Sequence, residues 1–203
     1  MPNSIVHVID DDEDVRQSLG FLLRAAGINV ALHASALAFL DTLPNPAPGC
    51  VVTDIRMPGM DGLELQRHLR EQGSHLPVIV MTGHADVPLA VQAMKAGAVD
   101  FIEKPFNDET LLSAIRAALS AYRKDAEREK RQAEIRKRID GLSEREREVL
   151  DALVEGKANK VIAYDLGISP RTVEIYRANV MTKMQAESLS ELVRMALLAG
   201  DKA

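Results

Sequence analysis

Five residues of this chain lie where short apolar runs end. Asp10 and Asp11 follow IVHVI (5–9), Asp54 follows CVVT (50–53), Thr82 ends VIVMT (78–82), and Lys104 comes just after AVDFI (98–102). Carboxylates gathered at one place repel one another, and their pKa values rise unless a cation lies among them. Hard oxygen donors of this kind suit Mg²⁺, which binds through one or two carboxylates, keeps several waters and leaves positions open for phosphate oxygens. An ammonium group and a hydroxyl beside them are partners for an incoming phosphoryl group, with Asp54 placed as the nucleophile. Phosphorylation there would replace one negative charge by nearly two and add three acceptor oxygens, able to draw Thr82 and Lys104 inward. Reaction and switch would be one event. Each residue alone is commonplace, because acids often cap loops and Lys-Pro pairs are frequent. Their shared position at the ends of predicted strands is what points to chemistry.

The runs themselves are short, β-branched and nearly continuous in apolar character, the pattern of strands covered on both faces. Between them lie amphipathic stretches at 13–26, 62–72 and 87–96, the last with Asp86 as its cap and Pro88 in its first turn. A weaker strand at 29–32, a short helix at 35–42 and a helix at 108–122 complete the alternation. Strand and helix in regular succession predict a three-layer, parallel α/β sheet. Functional groups in such a sheet collect beyond the carboxyl ends of the strands, where strand order reverses, so all five residues should converge. His7, inside the first run, is expected to be a buried, hydrogen-bonded core histidine.

A chain of 203 residues allows two ordinary domains. Its 46% hydrophobic and 27% charged content permits a packed core and excludes a disordered or fibrous chain. No apolar run approaches the roughly 20 residues that span a bilayer, and MPNSIVHVID lacks the features of a secretion signal, so a cytoplasmic protein away from membranes is expected. Cys50, the single cysteine, excludes a disulfide framework and a thiolate metal cluster; a small core residue is expected there. The net charge of -5 is unevenly placed: residues 1–122 carry 8 Lys/Arg against 15 Asp/Glu, residues 123–140 carry 8 against 5, and residues 141–203 carry 9 against 10. The chain divides accordingly into a first domain (1–122), a charged helical linker (123–140) and a second domain (141–203).

The linker has few apolar positions, namely Ala126, Ala133, Ile135 and Ile139, and can be helical without being buried. From Ser143 the pattern is purely helical. SEREREVLDALVEG opens with a capping box, Ser143 and Glu146, and NKVIAYDLG ends at Gly167. SPRTVEIYRANVMTKM begins with a Ser169 cap and Pro170, and SLSELVRMALLAG supplies a fourth helix. Two short helices joined at LGIS have the spacing of a helix-turn-helix. Helix 170–184 has an inner stripe of Val173, Val180, Met181 and Met184, leaving Arg171, Thr172, Glu174, Ile175, Arg177, Ala178 and Lys183 outward or flanking. Arginine among small and β-branched neighbours suits the major groove, and Lys157 and Lys160 would hold phosphates.

VIDDDEDVR, TDIRMPGMDG, VMTGHAD and AGAVDFIEKPF resemble the four signature segments of the response-regulator receiver domain, over about residues 4–122. That resemblance implies a flavodoxin-like sheet of five parallel strands in the order 2-1-3-4-5. It makes Asp54 the phospho-acceptor and Asp10 and Asp11 the acidic pair, with Asp11 the more direct Mg²⁺ ligand and the Arg56 carbonyl completing the shell. Thr82 and Phe101 become a switch pair, and Lys104 precedes a cis Pro105. Gly83 stands where alanine is usual. Phe101 replaces the commoner tyrosine, so a switch there acts by packing. Asp12 adds a third acid.

LSEREREVLDALVEGKANKVIAYDLGISPRTVEIYRANVMTKM is similar to the LuxR-type helix-turn-helix domain, over roughly residues 139–200. Together the two likenesses point to the NarL/FixJ family of transcriptional regulators. Membership implies a two-component regulator and not an enzyme beyond self-catalysed phosphoryl acceptance and slow autodephosphorylation. It implies a sensor histidine kinase as donor, homodimerisation through about residues 86–122, promoter DNA and RNA polymerase as partners, and activation of nitrogen-fixation or low-oxygen genes. The rival from another class is a small aspartyl-phosphate phosphatase. Such enzymes resemble a D-x-D-x-T pattern that VIDDDEDV does not provide, and no substrate cap is visible. A third reading is a DNA-binding module indifferent to phosphate.

Overall fold

The computed structural model describes residues 4–42, 49–83 and 87–200. Its chain separates into two compact units, Met1–Asp125 and Ala126–Ala203. In the first unit the elements are β1 (Ile5–Ile9), α1 (Glu13–Ala25), β2 (Asn29–His33), α2 (Ala36–Leu40), β3 (Gly49–Asp54), α3 (Gly62–Glu71), β4 (Val78–Thr82), α4 (Val87–Ala96), β5 (Asp100–Glu103) and the start of α5 (Asp108–Asp140). The five strands pair in parallel in the order β2-β1-β3-β4-β5, the order that the receiver resemblance implies. Strand order reverses between β1 and β3.

Helices on both faces give the sheet two cores, because successive side chains of a strand point to opposite sides. On one side Val8, Val52, Ile79 and Met81 meet Leu19 and Leu23 of α1 and Leu111 and Ile115 of α5. On the other, Ile9, Val51 and Val80 meet Phe39 of α2, Leu65 and Leu69 of α3 and Ala93 of α4. Every residue of β3 is buried, which is why its sequence reads as one apolar run. His7 is buried as expected, its Nδ1 lying 3.1 Å from Nε2 of His33, with Phe39 edge-on to the ring. The Cys50 thiol is buried too, and burial pushes its pKa up to about 12. The last strand differs from expectation. Gly97, at φ 97, ends α4, and the Ala98 amide donates to the Ala93 carbonyl, so the strand itself starts at Asp100, with the Val99 amide donating to the Val78 carbonyl at 2.9 Å just ahead of it. As the edge strand, β5 buries Ile102 and leaves Asp100 and Glu103 exposed. Asp86, the expected cap of α4, lies outside the described residues.

The second unit holds the end of α5 with α6 (Glu144–Val154), α7 (Asn159–Leu166), α8 (Pro170–Met184) and α9 (Leu189–Gly200). Ser143 and Glu146 make the expected capping box, Gly167 ends α7 in the left-handed region at φ 64, and Ser169 caps α8 ahead of Pro170. At the end of α8, Gln185 takes the left-handed turn at φ 55 that glycine more often fills. The core combines Val149, Leu150, Ile162, Val173, Val180, Met184 and Leu192.

Burial of α5's last turns was not foreseen. Ile135 is 2% exposed within this core and Ile139 packs against it. Arg136 donates to the Ala199 carbonyl at 3.3 Å and Arg138 to the Met184 carbonyl at 3.0 Å, fixing the same turns through their charged residues. Ile135→Ala should therefore cost the helical unit about 3 kcal/mol in urea unfolding of the full chain, as expected for a buried aliphatic residue. A loss below about 0.5 kcal/mol, the range of surface substitutions, would show that these turns are solvated instead.

Candidate functional site

Parallel register brings the acids together. Ile9 of β1 pairs with Thr53 of β3, so Asp10 and Asp54 leave the sheet edge side by side. Asp54 pairs with Met81, placing Thr82 one residue beyond on β4. Thr82 pairs with Glu103, so Lys104 follows at the same edge, its amide donating to the Thr82 carbonyl at 2.7 Å. The Lys104–Pro105 peptide is cis. From there the Lys104 ammonium donates to Asp54 Oδ1 at 2.6 Å and to Asp10 Oδ2 at 2.9 Å. Both acids are buried, Asp10 to 2% exposure and Asp54 to 9%. Burial alone would lower the pKa of Lys104, but hydrogen bonds and charge from Asp54 and Asp10 outweigh it and raise the pKa, so the lysine stays cationic. Two carboxylates against one ammonium leave the pocket a charge short, a setting that favours a further cation.

The remaining oxygens are oriented by backbone. The Arg56 amide donates to Asp54 Oδ2 at 2.7 Å, and the Asp12 amide to Asp10 Oδ1 at 3.0 Å. Asp11 is exposed beside them. Asp12 does something else: its carboxylate accepts the Asp14 and Val15 amides and caps α1. Thr82 is 1% exposed. Phe101 lies on the same sheet face as Thr82, because its register partner is Val80, two residues earlier, and it packs half-buried against the core on that side.

Two contributors went unnoticed in the sequence. A Cβ at Gly62 would overlap the Asp54 carbonyl, and the Gly62 amide donates to the Ile55 carbonyl at 3.0 Å, so only glycine lets α3 start this close to β3. The closing glycine of MPGMDG was the available signal. Arg16 reaches back from α1 and donates to the Asp10 carbonyl at 2.7 Å. Among the described residues, no three His, Cys, Asp or Glu side chains are arranged to hold a metal. Two buried carboxylates with exposed Asp11 next to Asp10 nevertheless fit Mg²⁺, which relies on few protein ligands and keeps its waters.

In the second unit α8 exposes Arg171, Glu174, Ile175, Ala178 and Lys183, while Thr172 and Arg177 are half-buried. Lys160 is exposed at the start of α7. Two of the expected DNA-facing lysines already have anionic partners. Lys157 pairs with Glu155 at 3.0 Å and Asp165 at 3.1 Å. Lys183 donates to Glu146 Oε2 at 2.6 Å, the same oxygen that accepts the Ser143 amide at 2.8 Å. Glu146 therefore ties the start of α6 to the end of α8 as well as closing its capping box. Sequence spacing showed only the box. Tyr164 and Val161, exposed on α7, were not singled out either.

Residues 6–116 match the family model of the response regulator receiver domain, and residues 140–196 match that of the luxR family of bacterial regulatory proteins. The chain is 62% identical over 201 residues to the transcriptional regulatory protein FixJ of Azorhizobium caulinodans, covering 98% of this chain and 95% of that one. Identity to FixJ of Rhizobium meliloti is 56% over 201 residues, covering 98% of each. Among solved structures, full-length FixJ from B. japonicum shares 54% identity with a TM-score of 0.62 over 97% of both chains. The response regulator StyR gives a TM-score of 0.85 at 39% identity, over 96% of this chain and 98% of that one.

The Glu146 contact sets a pH dependence. The Lys183 hydrogen bond first, then the Ser143 amide, hold the Glu146 carboxyl below the ordinary value of 4.5, against burial. Its stabilising contribution is complete above that ordinary value and disappears as pH falls through the lower folded value. Urea midpoints of the helical unit should thus fall more steeply with acid in the parent than in Glu146→Gln. Equal slopes would contradict the pairing.

Proposed function

The chain belongs to the NarL/FixJ family of response regulators, a receiver domain followed by a LuxR-type DNA-binding domain, and we propose that its Asp54 accepts a phosphoryl group from a sensor histidine kinase. Members are transcriptional regulators and not enzymes acting on an external substrate. We assign residues 1–122 to the receiver, 123–140 to the linker and 141–203 to DNA binding. One observation carries the reading: a single ammonium group bridges two buried carboxylates at the point where strand order reverses.

In the reaction a carboxylate oxygen of Asp54 attacks phosphorus, and the bond to the donor histidine nitrogen breaks as the new P–O bond forms. Arg56 orients the nucleophile through its amide, and Lys104, already cationic, neutralises phosphoryl oxygens as their charge grows. Mg²⁺, held by Asp10, Asp11, Asp54 and the Arg56 carbonyl, would supply further charge neutralisation at those oxygens. The Thr82 hydroxyl, on the neighbouring strand, is placed to follow the new oxygens, and Phe101 on the same face repacks when it moves. Shifting an equilibrium by two decades takes about 2.8 kcal/mol of differential stabilisation, within reach of one charge-assisted cluster.

The receiver then pairs with a second copy through about residues 86–122, of which Asp86 lies outside the described part. Exposed Val87, Val91, Met94 and Val99 on and beside α4 support that face. Paired effector domains bind a two-fold promoter site with Arg171, Thr172, Glu174, Ile175, Arg177, Ala178 and Lys183 in the major groove. Lys160 lies on phosphates, and so does Lys157 by exchanging Glu155 and Asp165 for them; RNA polymerase is recruited, and nitrogen-fixation or low-oxygen genes are activated. Among the described residues no helix is long and apolar enough to cross a membrane, and a cytoplasmic location fits this role.

Asp54→Asn tests the reading. With a small phosphodonor and Mg²⁺, light scattering should show the parent dimerising and footprinting should show promoter protection, while the variant does neither. A variant that dimerised normally would defeat the proposal.

A further inference from the structure

We propose that Arg16 is a positioning residue for the acidic turn after β1, holding Asp10 and Asp11 in the arrangement that receives a divalent cation; this rests on the phosphoryl-acceptor reading above. Residues 10–14 are all acidic, and Arg16 is the first Lys or Arg in the chain. Charges so crowded push the turn open unless its backbone is anchored. Three contacts anchor it. The Asp12 amide donates to Asp10 Oδ1 at 3.0 Å, the Arg16 amide donates to the Asp12 carbonyl at 3.0 Å, and the Arg16 guanidinium donates to the Asp10 carbonyl at 2.7 Å. The last is charge-assisted and half-buried, and it closes the whole turn from the helix back to the strand end.

Its target matters. The carbonyl belongs to the peptide joining Asp10 to Asp11, so the guanidinium fastens the backbone link between the two acids and with it their spacing. By binding a carbonyl, the guanidinium also uses none of the carboxylate lone pairs. Those stay available to Lys104 and to a cation. Partners that orient metal-binding groups in this way typically weaken metal binding by about 10–100-fold when removed.

The competing role, simple charge screening, has the opposite sign. An arginine that only added positive charge would oppose a dication, and its loss would tighten binding. Calorimetric titration of Mg²⁺ into the full-length parent, Arg16→Gln and Arg16→Lys separates them, with thermal midpoints measured alongside in the absence of metal. Positioning predicts that Mg²⁺ binds about tenfold more weakly to Arg16→Gln, and more weakly to Arg16→Lys, which keeps the charge but not the planar fork. A Gln variant that binds Mg²⁺ as tightly as the parent, or more tightly, overturns the proposal. So does a lowered midpoint with unchanged affinity, the mark of a merely structural arginine. If Arg16→Gln does not fold, Arg16→Lys decides by the same comparison. A parent that binds no Mg²⁺ overturns the phosphoryl-acceptor reading and this inference together, whereas failure of the variants alone sinks only the inference.

Discussion

Two carboxylates buried at one point stay ionised together only with a cation between them, and in this chain that cation is Lys104. Asp10 and Asp54 come from different strands, and Lys104 from a third segment, so satisfying the charges requires the sheet edge to close as it does. Removing one partner of such a buried cluster leaves an uncompensated charge, typically a cost of about 3–5 kcal/mol. Much of the local structure serves this cluster. The Gly62 backbone makes room for α3 against the Asp54 carbonyl, amides of Arg56 and Asp12 fix the carboxylate oxygens, and Arg16 fastens the turn.

The same cluster explains how a covalent change could be felt elsewhere. Lys104 is tied through its own amide to the Thr82 carbonyl, and Thr82 shares a sheet face with Phe101. A new charge at Asp54 would alter what the ammonium balances, and β4 and β5 are the strands that lead away from it. Because β5 is an edge strand with one buried residue in its middle, it has less packing to resist displacement than β3, buried along its whole length.

The parallel sheet and the convergence of Asp10, Asp54, Thr82 and Lys104 were legible because strand-end position is a one-dimensional property. Contacts between distant segments were not. Glu146 and Lys183 are 37 residues apart, and neither carries a mark that names the other. Arg16 acts on a backbone carbonyl, which has no sequence signature. Ile135 sat in a run of charges with few apolar companions, and only the surrounding helices reveal that it is a core residue. β5 starts two residues later than the apolar run suggests, because Gly97 turns the backbone out of α4 and the Ala98 amide still bonds back to Ala93.

On the phosphoryl-acceptor reading, this pocket directs a phosphoryl group to one oxygen-bearing side chain, Asp54. Intact mass measurement of the full chain after exposure to a small phosphodonor and Mg²⁺, followed by peptide mapping, tests it most directly. A single added phosphoryl group, located on Asp54, is expected. No mass gain, or a phosphoryl group on any other residue, would contradict it.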